Sequence, residues 1–242
     1  MSFIKTNSRQ NCWMNLISPQ QHQLSLTDPK YPIGLLQSSS APKQLYAKGL
    51  LETLQQPLIA ILGPRNPSRQ AIINSAVFAG KLVEAGICVC ADLAEGVSAI
   101  ALNAAIKTGL PHCALGIAAS GLNLVYPTKL TGLSQQIEHS GLLISQYSPE
   151  TQAFAKHLQE RAHLIANLCH AVLVIEGPIR SSAIATANYA AELGKEIFSI
   201  PGNINDPNSK GPHSLIKNGA KLVEDIDDIL QEFPFRTINS AY

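Results

Sequence analysis

Charged and aromatic residues are scarce in this sequence, and neither sign of charge is in clear excess. Charged residues make up 14% of the 242-residue chain, aromatic residues 5%, and the formal net charge is +1. A near-neutral chain excludes binding that depends on strong overall charge, so any nucleic-acid contact must use a local basic cluster. No hydrophobic run approaches membrane-spanning length, and the amino terminus lacks the apolar stretch of a secretory signal. We therefore expect a cytoplasmic protein without membrane contact.

Cysteine is also scarce, and its spacing shows no metal or disulfide pattern. The five cysteines are odd in number, lie mostly in apolar runs and include no second pair at metal-ligand spacing: Cys12, Cys88, Cys90, Cys113 and Cys169. We expect reduced core thiols and no metal.

The common fingerprints of nucleotide and catalytic sites are missing. There is no G-x-G-x-x-G and no G-x-x-x-x-G-K-[ST], which argues against a dinucleotide oxidoreductase and a P-loop ATPase. There is no G-x-S-x-G elbow and no H-E-x-x-H pair either. Asp92 and Glu95 are neighbouring acids, but no nucleophile accompanies them. We expect no catalytic cycle and no cofactor.

Apolar runs of strand length alternate with helical patterns along most of the chain. The runs are 58–62, 87–91, 113–117, 141–145, 171–175 and 196–200, and the helical patterns are 68–85, 97–108, 153–168 and 183–193. Ser68 is a candidate N-cap, and Gly86, Gly109 and Gly194 stand at helix stops. Runs that are apolar throughout are typical of strands buried on both faces. The sequence predicts an α/β fold with a mostly parallel sheet and helices on both faces.

Composition divides the chain into three parts. Residues 1–43 are rich in Gln, Ser, Asn and Pro, and we expect an extended, partly ordered lead-in that packs on the core near Tyr31-Pro32. Residues 44–230 form the predicted α/β domain, and residues 231–242 a short tail.

Four loops that follow predicted strands carry ligand-type residues: 63–68, 92–98, 176–182 and 201–204. The carboxyl ends of parallel strands share one edge of the sheet, so these loops are expected to converge. Small residues let a backbone approach a phosphate, and helix starts and hydroxyl groups add donors. Arg65 places a cation at the first such turn, Arg180 offers another, and Lys195 begins a strand at the opposite edge. We predict a phosphate site near Arg65.

Short segments in a fixed order carry a resemblance to a known family. They are Tyr31-Pro32, Leu35-Leu36, Pro42, Leu45-Tyr46, Lys48-Gly49, Gly63-Pro64-Arg65, Gly121-Leu122, Tyr126-Pro127, the run 141–145, Glu176, Ser181, Thr186-Ala187, Pro201-Gly202-Asn203, Gly211, Leu215-Ile216 and Gly219-Ala220. Together they resemble the DNA-processing protein A family (DprA/Smf) over residues 31–230.

That resemblance implies an extended Rossmann-like fold and a DNA-binding protein of DNA processing and natural transformation. Members bind and protect single-stranded DNA and help load the RecA recombinase, so it also implies RecA as a partner and a homodimer. The residues expected to contact DNA or phosphate are Gly63, Pro64, Arg65, Gly96, Ser98, Arg161, His163, Ser181, Ser182, Thr186, Gly202 and Asn203.

The chain departs from the family pattern at several of these positions. The family's S-G-L-A-R-G-I-D reads A-D-L-A-E-G-V-S over residues 91–98, so Glu95 replaces an arginine and Ser98 an aspartate. The family's R-N-R reads Arg161-Ala162-His163, while Ser182-Ala183 replaces Gly-Ser and Pro64 a serine. Two charges several ångströms apart interact by roughly 2–4 kcal/mol at an effective dielectric near 20, less under salt screening. The reversal at Glu95 therefore predicts weakened DNA affinity or its loss.

Structural explanations compete with functional ones for most of these residues. Ser181 and Thr186 are equally suited to capping and back-bonding their helix, whereas for Gly202 and Asn203 the turn after a strand is the favoured explanation. Glu95 is equally consistent with a solvated carboxylate at a helix start.

Two other functions stay open. One is a nucleotide-binding Rossmann-like protein, either a phosphoribohydrolase-like enzyme or a sensor, although the P-G-G-x-G-T-x-x-E loop of those hydrolases is absent after Pro201-Gly202. The other is a degenerate paralogue that has lost DNA binding and contacts only a protein partner.

Overall fold

The structure is a computed structural model that describes residues 20–38 and 41–233. Nine strands form one sheet: β1 Gln21–Ser25, β2 Gln44–Gly49, β3 Leu58–Leu62, β4 Cys88–Asp92, β5 Ala114–Ile117, β6 Leu142–Ser145, β7 Ala171–Val174, β8 Glu196–Ser199 and β9 Lys221–Leu222. The α-helices of this part are α1 Ile33–Leu36, α2 Arg69–Glu84, α3 Val97–Lys107, α4 Thr131–Ser140, α5 Ala155–Leu168, α6 Ser182–Glu192, α7 Lys210–Lys217 and α8 Asp227–Glu232. Short 3-10 turns occupy Leu51–Gln55, Thr128–Leu130 and Pro207–Ser209.

The strand order is β1-β2-β6-β5-β4-β3-β7-β8-β9. The strands from β6 to β9 in this order pair in parallel, whereas β1 and β2 add an antiparallel pair at one margin. From β3 the chain winds outward through β4, β5 and β6, then crosses back to β7 on the other side of β3. That reversal between β3 and β7 is a topological switch point, where open α/β sheets bind ligands.

Two hydrophobic layers cover the sheet, one on each face. In β3 the side chains of Ile59 and Ile61 enter the layer with α2, α3, α4 and α8, while Leu58 and Leu62 enter the layer with α1, α5, α6 and α7. All five residues of β3 are buried, as expected for a central parallel strand. The predicted α/β fold with helices on both faces is confirmed.

Local signals set the helix ends as the sequence indicated. Ser68 caps α2, its hydroxyl accepting a hydrogen bond from the amide of Ala71 at 3.1 Å. Gly86, Gly109 and Gly194 follow α2, α3 and α6 in the left-handed region, which only glycine adopts readily.

Part of the proposed lead-in belongs to the sheet. β1 pairs with β2 along its whole length, and Tyr31 and Leu35 are buried in the core. The Tyr31 hydroxyl donates to the carbonyl of Pro42 at 2.7 Å, and burial raises the pKa of Tyr31 to about 12. A boundary at residue 43 therefore cuts through packed structure, and α8 likewise runs past 230. The rest of the lead-in (1–19 and 39–40), most of the tail (234–242) and Cys12 lie outside the described residues.

Cys88, Cys90, Cys113 and Cys169 are buried free thiols, and burial raises the pKa of the first three. None of the helices in the described ranges is long and apolar enough to span a membrane.

Candidate functional site

The first and second loops are locked together at the carboxyl end of β3 and β4. The amide of Val97 donates to the carbonyl of Pro64 at 3.1 Å. Gly96 has φ +87°, and a Cβ there would stand 2.2 Å from the Pro64 oxygen and 2.6 Å from the Cα of Arg65. Glycine is required at this position because both the dihedral angle and the close approach exclude a side chain.

The first and third loops meet across the switch point. Glu176, 9% exposed, accepts hydrogen bonds from the amide and the hydroxyl of Ser68, both at 2.7 Å. Ser68 thus caps α2 and joins β3 to β7 at once.

The third and fourth loops are joined through the segment that begins α7. The amide of Gly177 donates to the Asn208 carbonyl at 2.6 Å, and the Gly211 amide donates back to Gly177 at 3.0 Å. The Gly202 amide donates to Nε2 of His213 at 3.3 Å. The predicted convergence of the four loops is confirmed, and we call residues 63–68, 93–98, 176–182 and 200–206 the loop edge.

The proposed site residues differ widely in exposure. The exposed ones are Arg65, His163, Ser182, Gly202 and Asn203. The partly buried ones are Gly63, Pro64, Gly96 and Ser181, and the buried ones are Ser98, Arg161 and Thr186.

Arg161 and Ser98 act beneath the second loop. Arg161, 6% exposed, donates from Nη2 to Oδ2 of Asp92 at 2.6 Å, and the Ser98 hydroxyl donates to the other oxygen of the same carboxylate. The guanidinium is buried and paired, so Arg161 and Ser98 support the second loop from beneath. Their contact with DNA stays a prediction.

Three polar residues make hydrogen bonds within their own helix or turn, as the structural explanations given above for them predict. The buried Thr186 hydroxyl donates to the Ser182 carbonyl at 2.8 Å, and its phosphate contact stays a prediction. Ser181 caps α6 by accepting from the Ile184 amide at 3.4 Å, and Asn203 accepts from the Asn205 amide at 2.9 Å. Ser181 and Asn203 keep partial or full exposure.

His163 is exposed on α5 and lines a cavity that includes no residue of the loop edge. Its ring contacts Tyr189 edge to face, with centroids 4.1 Å apart, and the cavity has a volume of about 760 Å³. Other lining residues include Lys43, Tyr46, Gln146, Tyr147, Glu160 and Asn167. Sequence reasoning missed this cavity because its walls come from three distant segments with no common motif.

A polar network forms one wall of that cavity. Glu160 accepts hydrogen bonds from the Tyr147 hydroxyl and from Gln146 Nε2, the latter at 3.0 Å, and Lys156 lies 3.3 Å away. The Tyr147 hydrogen bond holds the pKa of Glu160 below its usual range. The network gives the cavity a carboxylate acceptor beside aromatic rings.

Around the loop edge, some charged side chains form ion pairs and others do not. Arg65, Arg180 and Lys210 are exposed, and none takes part in the five ion pairs found among the described residues. Glu95 lies 3.5 Å from Lys129, and the two side chains are 45% and 76% exposed. Lys210 was not singled out from the sequence because it follows a turn with no recognised motif.

Within the described ranges no His, Cys, Asp or Glu cluster is arranged to hold a metal.

Comparison with known proteins identifies the family. A sequence profile described as DNA recombination-mediator protein A matches residues 22–234. The Smf protein of Escherichia coli is 31% identical over 93% of this chain, and the match covers 59% of that protein's length. The X-ray structure of DNA processing protein A (DprA) from Streptococcus pneumoniae superposes with a TM-score of 0.84 and 34% identity, over 88% of this chain and 75% of that one.

A second solved structure shares the fold. It is described as showing the single-stranded DNA binding mode of DNA processing protein A from Helicobacter pylori, and it matches with a TM-score of 0.78 and 24% identity over 88% of this chain and 94% of that one. With the profile spanning most of the sequence, the chain belongs to the DNA recombination-mediator protein A (DprA/Smf) family.

Proposed function

We propose that this chain binds single-stranded DNA along the loop edge, with Arg65 as the anchoring cation. The observation that carries the proposal is an exposed arginine, without an ion-pair partner among the described residues, on a loop fixed from both sides. A phosphate gains most from a donor that is already held in place, because little conformational freedom is lost on binding.

Binding of this kind reads the sugar–phosphate backbone and carries little sequence preference. Gly63, Gly96 and Gly202 hold the loop edge together, because a Cβ at each would stand 2.2–2.5 Å from Val97, Pro64 or Ser209. The relative from Helicobacter pylori is described as binding single-stranded DNA, and shared family membership supports the same ligand here.

The test is fluorescence anisotropy of a labelled oligothymidylate across a salt series. Arg65→Ala is compared with Lys81→Ala, a matched exposed cation in the last turn of α2, away from the loops. Loss of one phosphate contact makes the plot of log affinity against log salt concentration less steep by about 0.7. At 50 mM salt this corresponds to an affinity about eightfold lower. Absence of wild-type binding, or equal binding by Arg65→Ala, would contradict the proposal.

Glu95 should weaken this interaction relative to the family pattern. Its carboxylate stands in the second loop, and the exposed Lys129 pair offsets it only in part. The next residue, Gly96, packs against Arg65, so Glu95 repels a phosphate held at Arg65 even when the strand does not cross the second loop. Glu95→Arg is therefore expected to tighten oligothymidylate binding by several-fold at low salt, and an unchanged affinity would show that Glu95 does not act on that phosphate.

The cellular role proposed with this activity follows the family. We propose that the chain protects incoming single-stranded DNA in the cytoplasm during DNA processing and natural transformation, acts as a homodimer, and helps a RecA-type recombinase load. It is proposed to do so without a catalytic cycle. Light scattering tests the dimer, and the rate of recombinase filament formation with and without the protein tests loading. A monomer at micromolar concentration or an unchanged filament rate would reject the respective part.

A small-nucleotide ligand is a second candidate, favoured by the cavity beside α5. Its volume of about 760 Å³ is in the range of small-molecule pockets, and its wall offers the Glu160 carboxylate and the rings of Tyr46 and Tyr147. A thermal-shift screen with nucleoside monophosphates, cyclic dinucleotides and an oligonucleotide separates the two. Stabilisation by a mononucleotide but not by the oligonucleotide would favour the second candidate.

A further inference from the structure

Two exposed cations lie in or next to the part of the loop edge that follows β7 and β8: Arg180 is in the third loop, and Lys210 begins α7. Arg180 and Lys210 are exposed, and neither forms an ion pair with a carboxylate of the described residues. Two large aliphatic side chains stand beside them, Ile179 with 56% and Ile204 with 70% exposure. Cations next to bare apolar surface suit a ligand that is both anionic and apolar.

The backbone that presents these cations is held in place. Gly177 is hydrogen-bonded to Asn208 and to Gly211, which joins the Arg180 loop to the start of α7. The ammonium of Lys210 donates to the carbonyl of Ile204 and so reaches over the fourth loop. The two cations therefore belong to one supported surface.

The two carboxylates within the third and fourth loops, Glu176 and Asp206, are engaged by donors. Glu176 is buried and accepts two hydrogen bonds from Ser68. Asp206 accepts from the amide of Asn208 at 2.9 Å, where it caps a 3-10 turn. Neither lies within ion-pair distance of Arg180 or Lys210, so both cations stay available to an external anion.

The part of the loop edge that follows β4 carries negative rather than positive charge. Glu95 is exposed there, and the nearest cation in an ion pair with it is Lys129 at 3.5 Å. Asp92 is paired with the buried Arg161. A phosphate chain placed over this part would meet a carboxylate and no unpaired cation among the described residues.

We infer that the DNA strand leaves Arg65 toward β7 and β8, where Arg180 and Lys210 make two further phosphate contacts and Ile179 and Ile204 support the bases. This inference rests on the proposed binding of single-stranded DNA and specifies its path. The strand crosses the switch point above the Ser68–Glu176 bond and avoids Glu95.

The experiment is oligothymidylate anisotropy across a salt series with the full chain. Arg180→Ala, Lys210→Ala and the double variant are compared with Lys81→Ala/Lys107→Ala, which removes the same charge from the ends of α2 and α3 away from the loop edge. Arg180→Lys keeps the charge and serves as the conservative variant. Circular dichroism and thermal melting confirm that each variant is folded, as expected for exposed side chains.

We expect each single variant to lower the salt slope by about 0.7 and the affinity by about eightfold at 50 mM salt, and the double variant to lower the slope by about 1.4. Arg180→Lys should keep the slope, and the control double variant should bind within twofold of wild type. If Arg65→Ala weakens binding but the Arg180/Lys210 double variant does not, the path is wrong while the proposed function stands. If the wild type does not bind, both fail.

Discussion

The guanidinium of Arg161 donates to the carboxylate of Asp92 at 2.6 Å, although 69 positions separate the two residues. This bond ties α5 to the carboxyl end of β4, directly under the second loop. The family pattern carries its aspartate at the position of Ser98, six residues further along. Here the Ser98 hydroxyl donates to Asp92, whose carboxylate supplies the negative charge opposite Arg161.

Removal of Asp92 should destabilise the fold strongly. Asp92→Ala leaves the buried Arg161 guanidinium without its counter-charge, and we expect a loss of about 3 kcal/mol in the free energy of unfolding. Urea denaturation measures it, with Glu192→Ala as a matched control in which an exposed carboxylate of α6 is removed.

Returning the carboxylate to the family position should restore stability. Asp92→Gly/Ser98→Asp is expected to regain more than half of that loss, since the charge is replaced beside Arg161. A double variant no more stable than Asp92→Ala would show that the two positions are not interchangeable.

Ser68→Ala should loosen the switch point. The variant loses the cap of α2, worth about 1 kcal/mol, and one donor to the Glu176 carboxylate, worth about 1.5–3 kcal/mol. We expect about 2.5–4 kcal/mol lower stability in urea, while Ser68→Thr keeps most of the wild-type stability. Ser140→Ala, at an exposed helix end, is the control, and a similar effect in both alanine variants would refute the special role of Ser68.

Gly96→Ala and Gly80→Ala should have opposite effects. At residue 96 the new methyl group would clash with the backbone of Pro64 and Arg65, and φ is +87°. At residue 80, inside α2, a Cβ meets nothing within 4 Å. We expect Gly80→Ala to stabilise by about 0.5–1 kcal/mol and Gly96→Ala to destabilise by more than 2 kcal/mol. Thermal melting compares them, and a neutral Gly96→Ala would mean that the two loops are not in contact.

Stability should fall in mild acid because of His170. Its Nδ1 accepts a hydrogen bond from the amide of Leu58 at 3.1 Å, and burial, helped by the charge of Lys195, holds the pKa of His170 below its usual range. The unfolded chain then binds a proton on His170 more tightly than the folded chain does. The contribution of neutral His170 to the free energy of unfolding is therefore present above about pH 6.5 and is lost as the pH falls below it.

The free energy of unfolding, measured in urea at pH 7.5 and 5.5, checks this. His170→Asn keeps an acceptor for Leu58 but does not titrate, so its loss of stability between the two pH values should be smaller than that of wild type. His139→Asn, on the exposed side of α4, should behave as wild type. The same pH dependence in wild type and His170→Asn would exclude His170 as the cause.

The parallel core was predictable from sequence because burial on both faces leaves unbroken apolar runs. β3 was placed without error, and α2 and α6 within one residue of each end. β1 is polar and α4 is rich in Ser, Thr, Gly and Gln, so their structure depends on tertiary pairing that local patterns do not reveal.

For the candidate site, the loop convergence was predictable and the side-chain roles were not. Parallel topology alone places the loops after β3, β4, β7 and β8 at one edge. The burial of Arg161 depends on how α5 packs against β4, a contact between distant segments. The role of Lys210 was not predictable, because its position beside the fourth loop depends on the turn that precedes α7.

The most direct test of the central claim is backbone hydrogen–deuterium exchange with and without a saturating oligothymidylate. We expect DNA to slow exchange in residues 63–68, 176–182 and 200–206, and to leave the start of β8, at the opposite edge, unchanged. Slowed exchange confined to the cavity beside α5, or no change anywhere in the chain, would contradict single-stranded DNA binding at the loop edge.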